Sequence, residues 1–375
     1  MTAHHDLSRR TTSGEAPLWR PIEVLVRPLD VARRWSWWVS AKTAFGRACL
    51  RDRSLRLTTL ALTHMGVAAA LVVIAPVWLL LLGPIVLGVP HVASDVRYLL
   101  INPPLPLGRR GVVLLLGPLL AMTGLRVAAA LGAPYYAEVE ILLGTAAMLG
   151  GVMLAPASSG KKALAFAVVF AVGLLAMTAA HDALLIVAHV HNLVAFGLWL
   201  WLFRSETSTR ALVTLAGAYL AIVTVLLSGA CDGALLGHAL GSDIGSFGLG
   251  QMADTLAPQL DFELGLRLVA VYAFAQAVHY VVWLRLIPQR LDARTAPPTI
   301  RRSVGRLRFD FGRLGFVLVV LFTLATPLAA LAFDASDVRS LYLLAAIAHG
   351  WLELAIIAAL FTRGRGANAD ARPAA

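Results

Sequence analysis

The chemistry of this chain is concentrated in its histidines and in the acids that follow two of them. His91-Val-Ala-Ser-Asp95 and His349-Gly-Trp-Leu-Glu353 each place a carboxylate four residues after a histidine. On an α-helix such positions share a face, so each pair can chelate one metal ion, or the acid can hold the imidazole tautomer from behind. Other histidines stand at His64, His181, His189, His191 and His279, in or at the edge of long apolar runs, and at His238 outside them. Ionisable groups are costly in hydrocarbon, so by default they face the interior of a bundle and mark a site. A lone intramembrane histidine has a blander use, a hydrogen bond to a neighbouring helix. Seven of them with two His-x-x-x-acid pairs point instead to a metal or haem site. A donor set of imidazoles and carboxylates without thiolates suits iron, zinc, copper or manganese, and disfavours magnesium and calcium.

The expected ligands are His91, His279, His349 and one of His189 and His191, with His64 in reserve. Asp95 and Glu353 complete or orient the shell. Residues two apart on a helix diverge by about 200°, so His189 and His191 cannot both point at one centre. Counted inward from the end of each run at about 1.5 Å per residue, His191, His349, His64, Glu353, His91 and His279 fall at roughly 13 to 23 Å, compatible with one mid-membrane cluster. His189 sits slightly higher and His181 near the surface. Tyr280, with Gln276 and Trp283 around His279, is a candidate proton or hydrogen-bond donor. Arg97 and Tyr98 either pair with Asp95 or carry the Arg97 side chain to the membrane surface, and Arg126, Glu138 and Glu140 read as surface residues.

The elements that position these groups follow from composition and run length. The 375 residues are 59% hydrophobic and 14% charged, with a mean hydropathy of +0.76, which excludes a soluble globular domain. A net charge of +11 would suggest nucleic acid in a soluble protein. Here the cations lie between apolar runs, so anionic lipid headgroups are the partner and nucleic acid is not. Arginine far outnumbers lysine, and with the Ala/Leu/Val richness this suggests a bacterium with a GC-rich genome. About ten runs are long enough to cross a bilayer core of roughly 30 Å: 57–75, 77–100, 111–131, 138–154, 163–180, 183–203, 211–230, 264–286, 314–333 and 340–361. The expected fold is an all-α, polytopic integral membrane helix bundle.

Charge then orients it. Arg97, Arg109, Arg110, Lys161, Lys162, Arg204, Arg210, the eight arginines from Arg285 to Arg313, Arg363 and Arg365 fall on one side with the N-terminus. Glu138, Glu140, Asp182, Asp232, Asp243, Asp254, Asp261, Glu263, Asp334 and Asp337 fall on the other. The positive-inside rule puts both termini in the cytoplasm of a bacterial inner-membrane protein. Residues 1–56 then form a cytoplasmic segment without a cleavable signal peptide. Within it, 31–50 interleaves arginines and lysine with Trp35, Trp37, Trp38 and Phe45 as an interfacial helix. Residues 57–361 are the bundle and 362–375 a disordered cytoplasmic tail. Pro298–Arg313 reads as a basic linker, and the acidic, Gly-rich 231–263 loop is long enough to fold over the outer mouth as a lid. Cys49 and Cys231 fall on opposite sides of the membrane, which predicts no disulfide between them. No P-loop, dinucleotide fingerprint or Ser-His-Asp order is present.

The run Gly88-Val-Pro-His91-Val-Ala-Ser-Asp95 resembles the Gly-x-Pro-His-Gly-x-x-Asp motif of the Brp/Blh family of membrane-embedded beta-carotene dioxygenases, which cleave carotene to retinal. Phe274-Ala-Gln-Ala-Val-His279 is similar to that family's later aromatic-rich helix. The histidine found there one turn further on is Trp283 in this chain. The resemblance covers about fifty residues and implies that His91, and with it His279, matches an iron ligand. Three functions compete. The first is a non-haem iron oxygenase or oxidase acting on a lipophilic substrate, an isoprenoid or carotenoid, that arrives laterally from the bilayer; its redox partner is not readable. The second is a b-type haem electron-transfer protein. The third is a proton or metal-ion transporter using the His/Asp/Glu set as a relay.

Overall fold

The computed structural model describes residues 16–102, 108–241, 243–290 and 299–364. His4, His5, Arg294 and Pro298 lie outside the described residues, as does the tail from 365 onward, on which the expectation of disorder falls. Two helices, α1 (Ala16–Ala41) and α2 (Ala44–Arg51), precede the bundle. Ten helices long and apolar enough to cross a membrane are present among the described residues. They are α3 (Arg53–Ile74), α4 (Pro76–Ile101), α5 (Arg109–Ala130), α6 (Ala137–Leu154), α7 (Ser159–Met177), α8 (Ala180–Phe203), α9 (Thr209–Leu227), α12 (Phe262–Gln289), α13 (Ile300–Ala332) and α14 (Ala335–Arg363). Two short helices, α10 (Asp232–Gly241) and α11 (Leu249–Leu256), lie between α9 and α12. The chain is thus an all-α, multi-pass membrane helix bundle.

The spans start and stop where local chemistry dictates. Ala75-Pro76 breaks α3 from α4, because proline at a helix start needs no donor and disfavours helix in the residue before it. Asp52, Ser208, Asp261, Thr299 and Asp334 each accept a backbone N–H at the start of the next helix, satisfying donors a helix end leaves open. The interfacial segment is two helices rather than one. Lys42 and Thr43 interrupt it, Thr43 capping α2 while the Lys42 ammonium sits 3.6 Å above the Trp38 ring.

One expectation about loops needs correction, and a second gains detail. The stretch before residue 314 is helical from Ile300, not a linker. It joins the span across Gly312, whose φ of +67° is open to glycine and strained for other residues. Asp30 of α1 accepts the backbone N–H groups of Ile300 and Arg301 and ties that first stretch to α1. The 231–263 loop folds into α10 and α11 and packs onto the bundle, with Phe247 buried and the His238 ring bonded to the Val73 carbonyl at 3.1 Å.

Burial shows which helices position a site. Within its membrane-length window α12 is 78% buried, α4 and α14 are 50% buried, and α7 and α13 only 6%. α12 is therefore the axis of the bundle and α7 and α13 face lipid. α14 packs on α5 and α6 through small residues: an added Cβ on Gly151 would lie 2.2 Å from the Ala355 carbonyl oxygen, and one on Gly144 would lie 2.4 Å from the Trp351 ring. Such close approach is how helices associate in lipid, where apolar burial gives no preference for a neighbouring helix over an acyl chain.

Candidate metal centre

Four helices meet at the middle of the bundle: α4 brings His91 and Asp95, α8 His191, α12 His279, Tyr280 and Trp283, and α14 His349 and Glu353. Departures from regular helix flank these residues. π-Helical turns occupy Gly83–Leu87 and Val96–Ile101 on either side of His91 and Asp95, and Val282–Leu286 just after His279. Pro84 removes a donor in the first of them, and each wide turn rotates the helix beyond it relative to the helix before it. The Ser94 hydroxyl donates to the Trp283 carbonyl at 2.8 Å, tying α4 to the wide turn of α12.

The side chains converge. His91 Nε2 and His279 Nε2 are 3.0 Å apart. His91 Nε2 lies 3.3 Å from Asp95 Oδ2 and His279 Nε2 lies 3.3 Å from Glu353 Oε1. One ligand atom from each of His91, His279, His349 and Glu353 falls within 4.8 Å of the others. His91 packs edge-on against His349 with ring centroids 4.9 Å apart, and His191 stands 5.4 and 5.5 Å from His279 and His349. Gly350 admits that histidine: an added Cβ would lie 3.3 Å from its ring.

The donor set fits a metal ion. Adjacent ligands of an ion with bonds of about 2.1 Å are separated by about 3.0–3.4 Å and opposite ones by about 4.2 Å, so the closest pairs match one shell and the 4.8 Å limit of the set exceeds it by about 0.6 Å. The His191 Nδ1–H donates to the Val187 carbonyl at 3.1 Å and the His349 Nδ1–H to the Ala346 carbonyl, an outer-shell bond that leaves Nε2 free for a metal. Both oxygens of Asp95 are buried without a hydrogen bond, Glu353 is buried beside the Trp283 indole, and the two acids lie close enough to interact electrostatically. Two adjacent carboxylates in an apolar interior each cost several kcal/mol unless a cation or proton neutralises them. A divalent ion would bring the pair to neutrality.

The remaining candidates lie elsewhere or at the margin. His189 points away from the cluster, edge-on to Tyr272 with its Nε2 bonded to the Leu256 carbonyl at 3.2 Å. The roughly 200° between it and His191 sends the two rings to different neighbours. His64 is a correction: its Nδ1–H donates to the Leu60 carbonyl at 2.7 Å and it lines a separate cavity. Similar depth does not fix which way a helix faces. His181 is exposed. Tyr280 is buried with its ring 5.3 Å from His91. Arg97 pairs with Asp310 of α13 at 2.5 Å and not with Asp95. Glu140 is a second correction. It is fully buried, with Arg126 Nε and Nη2 donating at 2.7 and 2.9 Å and the Tyr135 hydroxyl at 2.7 Å.

Three residues near the site went unread in the sequence. Tyr342 packs on Gly88, where an added Cβ would lie 2.3 Å from its ring. Arg339, buried, donates to the Leu80 carbonyl at 3.0 Å and lies over the Phe247 ring. Asn192, buried beside His191, donates to the Ala188 carbonyl. Asn192 directly follows His191 and Arg339 stands two residues after Asp337, and neither carries a spacing signal of its own.

The fold and the cluster together define a multi-pass membrane protein with a histidine- and carboxylate-lined centre. No family model matches the chain, and neither a curated protein nor a solved structure matches it.

Proposed function

We propose that this chain is a metal-dependent oxygenase of a bacterial inner membrane, with both termini in the cytoplasm. In this reading it binds non-haem iron through His91, His279, His349 and Glu353, with Asp95 and His191 at the edge of the shell. The observation that carries it is the convergence of one ligand atom from each of His91, His279, His349 and Glu353 within 4.8 Å, with the buried Asp95 carboxylate 3.3 Å from His91 Nε2. The Gly-x-Pro-His motif and its resemblance to the Brp/Blh dioxygenases add the choice of iron and of a carotenoid or other isoprenoid substrate. Zinc and copper share the donor preferences.

Iron with open positions would supply dioxygen activation. The residues of this chain do the rest. His191 and His349 are held in one tautomer by backbone carbonyls. Tyr280 and Trp283, buried with their rings 5.3 and 6.4 Å from that of His91, exclude water and so protect reactive chemistry. At that distance Tyr280 also serves as the proton donor of the site. His191 and His349 are partly exposed where α8 and α14 meet. Below them a cavity of about 240 Å³ lies between the same helices, lined by Val194, Gly197, Leu198, Trp201, Ile357, Leu360 and Phe361. This apolar crevice gives a lipophilic substrate lateral access from the bilayer. A dioxygenase cleaving a carbon–carbon double bond leaves one oxygen atom in each of two carbonyl products and needs no external reductant.

Against haem b stands the packing of the imidazoles. His91 Nε2 and His279 Nε2, 3.0 Å apart, leave no room for a porphyrin between them, so these two histidines would not hold a haem together. The test is oxygen-dependent cleavage of beta-carotene by the purified, iron-loaded chain, read as retinal formed. Product that depends on iron and is lost in His279→Ala supports the reading. Metal-dependent uptake into proteoliposomes, abolished by His349→Ala and without any product from an isoprenoid panel, overturns it in favour of transport.

A further inference from the structure

Outside the metal cluster, one buried cation has no acid beside it. Arg339, in the second turn of α14, is 8% exposed and falls within a membrane-length span. Its Nε–H donates to the Leu80 carbonyl at 3.0 Å, and its guanidinium lies 4.9 Å from the centroid of the Phe247 ring, in the turn between α10 and α11. No other hydrogen bond of Arg339 occurs among the described residues. The titratable groups within its electrostatic reach are two tyrosines, Tyr272 and Tyr280, and no Asp or Glu. An arginine does not shed its proton, so the charge stays, and a charge held away from water is unfavourable until an opposite one joins it. The neighbours are donors instead. Tyr272 and Tyr280 of α12 lie within electrostatic reach of each other as well. The Gln276 amide donates to the Tyr272 hydroxyl oxygen at 3.3 Å, which leaves the Tyr272 O–H to donate elsewhere. The turn of α4 that carries Leu80 also carries Gly83, where an added Cβ would lie 3.3 Å from the Tyr280 ring and 4.0 Å from Gln276 Oε1. One stretch of α4 backbone therefore lies against Arg339, Tyr280 and Gln276. Asp95 also reaches Tyr280, but it belongs to the cluster, 3.3 Å from His91 Nε2.

We propose that Arg339, Tyr272 and Tyr280 form a binding site for one small monovalent anion of halide size, with the Arg339 Nη groups and the Tyr272 hydroxyl as its hydrogen-bond donors and Tyr280 beside it. Charge sets the valence: a single guanidinium without an acid is neutralised by a single negative charge. Donor chemistry sets the class, because guanidinium and phenol both donate and the edges of aromatic rings carry partial positive charge. The close wall at Gly83 sets the size: it suits a bare ion and not an organic acid with a chain. The site does not rest on the metal reading, since Arg339 keeps its charge with the cluster full or empty.

The test is chloride binding to the full chain in detergent, as purified and again after dialysis against a chelator. It is read as the melting temperature while sodium chloride replaces sodium gluconate at constant ionic strength, and as broadening of the chloride NMR line. Wild type is expected to melt higher in chloride than in gluconate, whose anion is too large for the site, and to broaden the chloride line until bromide displaces it. The response is expected to be the same before and after chelation. Arg339→Gln is expected to lose both signals. Tyr272→Phe, which keeps the ring and removes one donor, is expected to weaken chloride binding by about tenfold. Arg267→Gln removes a cation that already pairs with Asp232 and is expected to keep the full response. Should Arg339→Gln fail to fold, Tyr272→Phe decides. Equal melting in the two salts without line broadening would mean that water alone fills the site, and would overturn the proposal. So would a response kept in full by Arg339→Gln or Tyr272→Phe, one lost equally in Arg267→Gln, or one that disappears on chelation, which would make chloride a ligand of the metal.

Discussion

His91 on α4 and His279 on α12, 188 residues apart in sequence, bring their Nε2 atoms to 3.0 Å. Each is then 3.3 Å from a carboxylate, Asp95 for the first and Glu353 for the second. The order Asp–His–His–Glu, drawn from three helices and closed to solvent, is the feature on which the functional reading turns.

The acids are the first place to test it. Glu353→Gln keeps shape and removes charge. If the carboxylates neutralise a divalent cation, this variant is expected to lower metal affinity by about tenfold or more while the purified protein stays monodisperse. Unchanged affinity, measured by competition with a chelating dye, would mean that Glu353 carries a proton and serves only as a hydrogen-bonding group.

Packing behind the site should matter without touching a ligand. Gly151→Leu drives a side chain into the Ala355 carbonyl, which an added Cβ already reaches at 2.2 Å. Overpacking of this kind costs about 1–3 kcal/mol or more, and here it pushes α14, with His349 and Glu353, away from α6. Loss of bound metal together with a lower melting temperature is expected. A lower melting temperature with full metal occupancy would show the cluster to be held independently of this contact.

The buried ion pair on the acidic face gives a stability prediction. Glu140 is fully buried, and Arg126 and Tyr135 both donate to it. Glu140→Ala leaves the partly exposed Arg126 without its partner and is expected to cost about 1–2 kcal/mol, read as a fall in thermal stability in detergent, while Glu140→Gln costs less. Burial and the hydrogen bond to Glu140 also push the Tyr135 phenol above its usual range, so no phenolate absorbance is expected from it as pH rises through 10.

At the same face, Asp232 receives hydrogen bonds from Arg267 at 2.9 and 2.5 Å, which hold its carboxyl below its ordinary value of 3.8. A depressed carboxyl stabilises the folded state above that value and loses the contribution as pH falls through the folded one. Asp232→Asn is therefore expected to lower stability at neutral pH, with the difference from wild type closing in strong acid. A difference independent of pH would mean the pair contributes by shape alone.

Much of the fold was legible because a bilayer imposes one length scale. Runs of about twenty apolar residues have little choice but to span, and each expected run coincides with a helix to within a few residues at most ends. The first stretch of α13 was the exception: its arginines hide a helix that turns at Gly312 before crossing. In the site, i,i+4 spacing put Asp95 beside His91 of its own helix, whereas the close partner of Glu353 is His279 of α12, and the angle between His189 and His191 meant that only one could join. Depth alone misplaced His64, because rise along a helix says nothing of azimuth. Glu140 looked like a surface acid because its partner Arg126 lies on another helix. For Arg97 the sequence offered Asp95 or the membrane surface and not its actual partner, because Asp310 is 213 residues away. Contacts between distant helices have no period to read.

The most direct measurement is the metal content and visible spectrum of detergent-purified protein, made on wild type and on His91→Ala and His349→Ala. Iron near one equivalent without a Soret band is expected in wild type, and less than about half of it in each variant, as for loss of one ligand of a shared shell. Equal metal in all three proteins, or none in a wild type reconstituted with ferrous iron, would contradict the metal centre and leave these imidazoles as hydrogen-bonding groups between helices.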